Sequence, residues 1–216
     1  MAAARHPSFM LQSLGGHSSD RKLRLFAAAC ARRVATFVAD ARTFDAVVDV
    51  AERFADGLAT DDEREAGRLL AGGAAKATES PGGLPIPTFA QRAVWCAYYS
   101  VAGEAHKAAI GASEVTISVV GSRAEAHAES SNHVARRDEW HRQSDALRCI
   151  FGNPFRPVSV DPSWLTSTVG ALANGVYADR AFDRLPILAE ALMDAGCDND
   201  DVLNHCRGDG PHVRGC

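Results

Sequence analysis

The 216-residue chain has little surplus of either charge: 23 Lys and Arg stand against 27 Asp and Glu, for a net charge of −4 and a pI near 6.0. No global field for holding a polyanion follows from that balance, so nucleic acid is not the expected partner, although charge can still be locally clustered. The opening stretch MAAARHPSFMLQSLGG lacks the uninterrupted apolar core of about 7–15 residues that a secretion signal needs. No later stretch approaches the roughly 18 apolar residues of a membrane span. The reading is a soluble, cytoplasmic protein with no membrane partner, in which the six cysteines are thiols rather than a disulfide framework.

Motifs of catalysis are also missing. No glycine-rich loop of the phosphate-cradling type occurs, no dinucleotide fingerprint follows a strand, and no serine sits in a G-x-S-x-G elbow. No internal repeat and no low-complexity segment is seen. Strand signals are missing too: EVTISVV is β-branched, but nothing else in the chain offers it a pairing partner, so it is read as helix.

What the chain does contain is helical periodicity. SSDRKLRLFAAACARRVATFVAD starts at a capping Ser19 or Asp20 and repeats Leu23, Phe26, Cys30, Val34 and Phe37 on one side. RTFDAVVDVAERFADGLAT repeats Phe44, Val47, Ala51, Phe54 and Leu58, with Asp45, Asp49, Glu52 and Arg53 opposite, and the two segments are expected to form a hairpin. Thr60 and Glu63 make a capping box for a third helix, which Gly72 and Gly73 weaken at its far end. The loop TESPGGLPIPT separates this region from the helical stretch beginning FAQRAVWCAYYS. GNPFRPVSVDPSW marks a second break. Beyond it lie short helices over TSTVGALANGVYADR, DRLPILAEALMDAG and NDDVLNHCRG, with Asp183 as a cap for the second, Pro186 in its first turn and Gly196 as its left-handed end. The expectation is an all-α protein of seven or eight helices in three regions: 1–78 with an N-terminal helical hairpin, 79–151 as a central helical region, and 152–216 as a C-terminal short-helix module.

Three clusters could carry chemistry. In HAESSNHVARRDEWH, on a single helix, Glu129 would face His133 and Asp138 would face His141, as in base or non-haem metal sites; the polar surroundings favour a wet surface. Arg21, Lys22, Arg24, Arg32 and Arg33 could meet phosphates, but no aromatics interleave to stack on bases, and pairing with acids of the next helix is the better account. The third cluster is HCRGDGPHVRGC at the C-terminal end. Zinc takes Cys and His ligands tetrahedrally, and Cys197, His205, Cys206, His212 and Cys216 are all candidates. Helical phase separates Cys206 from His205: Cys206 follows Val202 and Leu203 on the apolar face, whereas His205 follows Asp201 on the polar face. Cys206 and Cys197 are assigned to the core. A metal set of His205, His212 and Cys216 remains, with zinc as the only cofactor considered and without a fourth ligand. A second reading of the stretch is an anion loop, in which Arg207 and Arg214 flank Gly208–Gly210 and Pro211 opens a new helix.

Two blocks, SDRKLRLFAAACARRV…VAERFADGLAT and LRCIFGNPFRPVSVDPSWL…VYADRAFDRLPILAEALMDAGCDNDDVLNHCRGDGPHVRGC, resemble the two ends of a large family of uncharacterised bacterial paralogues. They cover residues 19–60 and 148–216. The resemblance implies no activity, cofactor or catalytic residue. In similar proteins a Trp-Val-Val-Asp-Leu type helix follows the position of Cys216, where this sequence stops. A helix begun at Pro211 would then be too short to hold alone, so the last residues are expected to fray or to mark a shortened paralogue. The function expected from these features is a non-enzymatic interaction or regulatory module with a protein partner. The alternatives are a metal-binding protein or metalloenzyme centred on the C-terminal His/Cys cluster, and a nucleic-acid or anion binder.

Overall fold

A computed structural model describes residues 6–15, 18–78, 88–153 and 158–216. All regular structure in these residues is helical, in ten α-helices: α1 Pro7–Leu14, α2 Asp20–Arg32, α3 Ala41–Ala55, α4 Asp61–Thr78, α5 Thr88–Ser100, α6 Ala105–Ala126, α7 Asn132–Phe151, α8 Ser167–Asp179, α9 Leu185–Asp194 and α10 Asp200–Arg207. The all-α expectation holds, and the count exceeds the seven or eight expected. The eight-residue α1 adds one; its two turns carry too few apolar repeats to register as a pattern. The loop expected at 78–88 and the break at 152–164 lie partly outside the described residues.

The chain forms two compact units, Met1–Leu147 and Arg148–Arg214 with Cys216. In the first, α2 runs antiparallel to α3. Arg32 at the end of α2 meets Asp45 and Asp49 in the first turns of α3, while Arg21 at the start of α2 reaches Asp56 just past the end of α3. Ser19 caps α2 by accepting from the Lys22 amide, and Thr60 and Glu63 exchange the reciprocal bonds of the expected capping box. The helix α2 is shorter than its apolar pattern, which continues into a single 3₁₀ turn over Ala35–Phe37. EVTISVV lies inside α6, as expected, and α4 continues through Gly72 and Gly73 to Thr78.

The basic residues of α2 have structural partners. Arg24 donates to the Ala102 and Gly103 carbonyls, and Arg64 of α4 donates to that of Val101; their guanidinium groups lie 4.8 and 5.6 Å from the Phe54 ring centroid. Two buried arginines thus close the C-terminal end of α5, where carbonyls lose their helical partners. Arg33 makes a two-pronged bond to Glu139, at 2.8 and 2.7 Å.

That pair corrects the reading of HAESSNHVARRDEWH as a wet helical face. Glu139 is completely buried, and Gln143, also buried, donates to it and accepts from Ser113. The segment is not one helix either. His127 ends α6, Ala128 takes a left-handed conformation, and α7 begins only at Asn132, so Glu129 pairs with Arg123 instead of facing His133.

The second unit holds α8, α9, α10 and the end of α7. Its core is small, with Val169, Val176, Leu188, Leu192 and Leu203 among its members, and with Cys197 and Cys206 buried as expected. Pro186 stands in the first turn of α9, and Gly196, at φ +87°, ends that helix as expected. Asp183 does not cap α9. It lies in a 3₁₀ turn over Phe182–Arg184 that runs directly into the helix.

Candidate metal centre

Cys149, His205, His212 and Cys216 converge, with one donor atom from each and all four donors within 4.8 Å of one another. The structure therefore brings together the three ligands proposed from sequence and adds a fourth, Cys149.

Each side chain is placed by a local feature. Cys149 stands in the last turn of α7, which stops at Phe151; Gly152 then takes φ +63° and donates its amide to the Arg148 carbonyl. His205 rides on α10, whose first turn is capped by Asn199 accepting from the Asp201 and Val202 amides. Because Leu203 and Cys206 face the core, His205 is turned to the rim, half-buried, with Nε2 2.8 Å from the Cys216 sulfur.

His212 follows two residues after Gly210, whose φ of +84° is strained for any residue with a side chain. A Cβ there would lie 2.8 Å from the His212 backbone nitrogen and 3.1 Å from its ring Cδ2. The glycine thus lets the chain fold back tightly enough to present the imidazole. His212 Nε2 lies 3.0 Å from the Gly208 carbonyl oxygen, which can only accept, so Nε2 carries the proton. Its Nδ1 is left with a free lone pair, 3.6 Å from the Cys216 sulfur and 3.8 Å from the Cys149 sulfur. A backbone carbonyl fixing the far nitrogen is the usual support of a metal-binding histidine. The His205 and His212 rings meet edge to face at 5.1 Å.

Residues 208–216 form no helix, so the helix expected to open at Pro211 is absent. The physical reason lies in the contacts that hold the segment in an irregular path. Arg214 stacks over Tyr177 at 5.1 Å and donates to the Ala178 carbonyl, His212 bonds back to Gly208, and the Cys216 amide donates to Val213. The terminal residues are accordingly packed rather than frayed. The two arginines of the expected anion loop engage different helices: Arg214 is on α8, and Arg207 pairs with Glu190 and contacts Met193 on α9.

Electrostatics favour thiolate at the centre. Hydrogen bonding from Cys216 is the largest influence on Cys149 and, with His205, the Val213 amide and His212, outweighs its desolvation and holds the thiol at about 4. The His205 imidazole is raised, chiefly by its hydrogen bond to Cys149. The buried Cys30, Cys96 and Cys206 are all shifted upward by desolvation, as inert core thiols are.

A tetrahedral ion with metal–sulfur bonds of about 2.3 Å and metal–nitrogen bonds of about 2.0–2.1 Å would set its sulfur and nitrogen donors about 3.5 Å apart. The two His212 edges nearly match this. The His205 to Cys216 edge would lengthen by less than 1 Å. Two thiolates and two imidazoles, without a carboxylate, are a donor set for zinc rather than for magnesium or calcium. Comparison with family models, curated proteins and solved structures finds no match to the chain. The site is therefore read from its own geometry.

Sequence reasoning missed Cys149 because it stands far from the other three, and no local spacing connects them.

Proposed function

We propose that the chain is a zinc-binding protein in which the ion is structural, fixing the C-terminal unit as a non-enzymatic helical module. The observation that carries this reading is the convergence of four Cys and His donor atoms within 4.8 Å. Four protein ligands close a tetrahedral shell and leave no position for a substrate or an activated water, as structural zinc sites do. Two thiolates also balance the charge of a divalent ion, so the site can sit half-buried without a net charge.

Elemental analysis of the purified or zinc-reconstituted chain tests the proposal. One zinc per chain is expected in the wild type and in Cys96→Ala, with none retained by Cys149→Ala or His212→Ala. Cobalt in place of zinc should give the intense visible bands and thiolate charge-transfer absorption of a tetrahedral site. No stoichiometric metal, or full retention by Cys149→Ala, would overturn it.

A further inference from the structure

The six thiols fall into two classes. Cys30, Cys96, Cys197 and Cys206 are buried, Cys149 is half-buried, and Cys216 is exposed. The two that are not buried are the two cysteines of the candidate metal centre. Both lie within 4 Å of one atom, His212 Nδ1, and within 4.8 Å of each other. A disulfide needs the sulfurs about 2 Å apart. Cys216 lies in irregular chain beside Gly215, at φ +100°, so a shift of that segment can close the gap while Cys149 stays on its helix.

We propose that the centre is a redox switch, in which a hydroperoxide converts Cys149 and Cys216 to a disulfide and releases the metal. This rests on the zinc reading above. In the first step the exposed Cys216 thiolate attacks one peroxide oxygen. A sulfur–oxygen bond forms, the oxygen–oxygen bond breaks, and hydroxide leaves, so that sulfur is oxidised by two electrons to a sulfenic acid. The Cys149 thiolate then attacks that sulfur. The sulfur–sulfur bond forms, the sulfur–oxygen bond breaks, and a second hydroxide leaves. In total, two thiolates and one hydrogen peroxide give one disulfide and two hydroxide ions. Zinc loses both of its anionic ligands, and His205 and His212 alone do not retain it. The disulfide still ties the end of α7 to the C-terminal segment, so oxidation frees the two histidines without opening the unit at its ends.

The test titrates zinc-loaded full-length protein with hydrogen peroxide, reading zinc release with a chromogenic chelator and cysteine linkage by non-reducing peptide mapping. One zinc should leave per Cys149–Cys216 disulfide formed. Thiols counted in denaturant should fall from six to four, and dithiothreitol with added zinc should restore both readouts. Zinc loss without that disulfide, a linkage to Cys197 or Cys206 instead, or thiols that resist peroxide would each overturn the switch. In Cys149→Ser the internal disulfide should vanish, and Cys216 should be trapped as a sulfenic acid by dimedone; a persisting internal disulfide would exclude the proposed pair. A wild-type chain that takes up no zinc overturns the functional reading by itself. Peptide mapping of that metal-free chain then decides whether the thiol pair survives without it.

Discussion

The two units solve the same problem with different means. The first buries large side chains such as Phe26, Leu25 and Val34 almost completely, and it can also bury Arg24, Arg64, Glu52 and Glu139 because each finds a charged or carbonyl partner. The second has fewer than seventy residues. Two of its helices are short, α9 ten residues and α10 eight, and its core is small. A domain of that size seldom gains more than about 3–5 kcal/mol from its hydrophobic core, and small domains commonly add a metal or disulfides. The four-donor group stands in the unit that most needs a cross-link.

The largest test of this contrast is metal removal. A strong chelator should abolish the cooperative unfolding of the second unit while leaving that of the first, because binding at a structural zinc site is coupled to folding and is worth about 10–16 kcal/mol in small zinc domains. Calorimetry should then show one transition where the loaded protein shows two. If both units lose structure together, or neither does, the contrast is wrong.

The next effect belongs to the first unit. Arg33→Ala leaves the buried Glu139 carboxylate without the guanidinium it binds; Arg33 itself is partly exposed, so water can take some of its place, and the loss of one partner of a buried acceptor costs about 1–3 kcal/mol. Chemical denaturation should show that loss in the first unit alone, with zinc stoichiometry unchanged. Glu139→Gln combined with Arg33→Met should recover much of the stability by removing both charges.

How much of this was legible in the sequence follows from the range of each interaction. Caps at Ser19 and Thr60, the end of α9 at Gly196 and the burial of Cys206 depend on residues within a turn or two, and the sequence pattern carried them. Glu139 looked solvated because its neighbours in the chain are polar, yet its partner Arg33 lies 106 positions away. Cys149 failed for the same reason, standing 63 positions from His212. The Pro211 helix failed for another: proline suits a first turn, but the contacts of His212, Arg214 and Cys216 determine the path of that short segment instead.

A smaller change tests how the four donors are held. Gly210→Ala forces a side chain into a left-handed position and into the His212 backbone, so the imidazole must move. Such strain costs about 1–3 kcal/mol. Zinc affinity measured by chelator competition should fall by roughly 10–100-fold, with the first unit's unfolding unaltered; an unchanged affinity would show that the loop presents His212 without needing the glycine.

The smallest pair of substitutions compares the units directly. Ser19→Ala and Asn199→Ala each delete one helix cap, and each should cost about 1 kcal/mol. Ser19 begins a thirteen-residue helix with eight buried residues, so its loss is absorbed by packing already in place, and metal binding should not respond. Asn199 begins the eight-residue α10, only two residues of which are buried, and the same helix carries His205. Fraying there lowers the fraction of metal-free chains that present the imidazole correctly. The apparent zinc affinity of Asn199→Ala should therefore fall several-fold, by the same free energy that the cap contributes. Equal and negligible effects on zinc from both caps would mean that α10 is held by the small core alone, and that the metal completes a unit already folded.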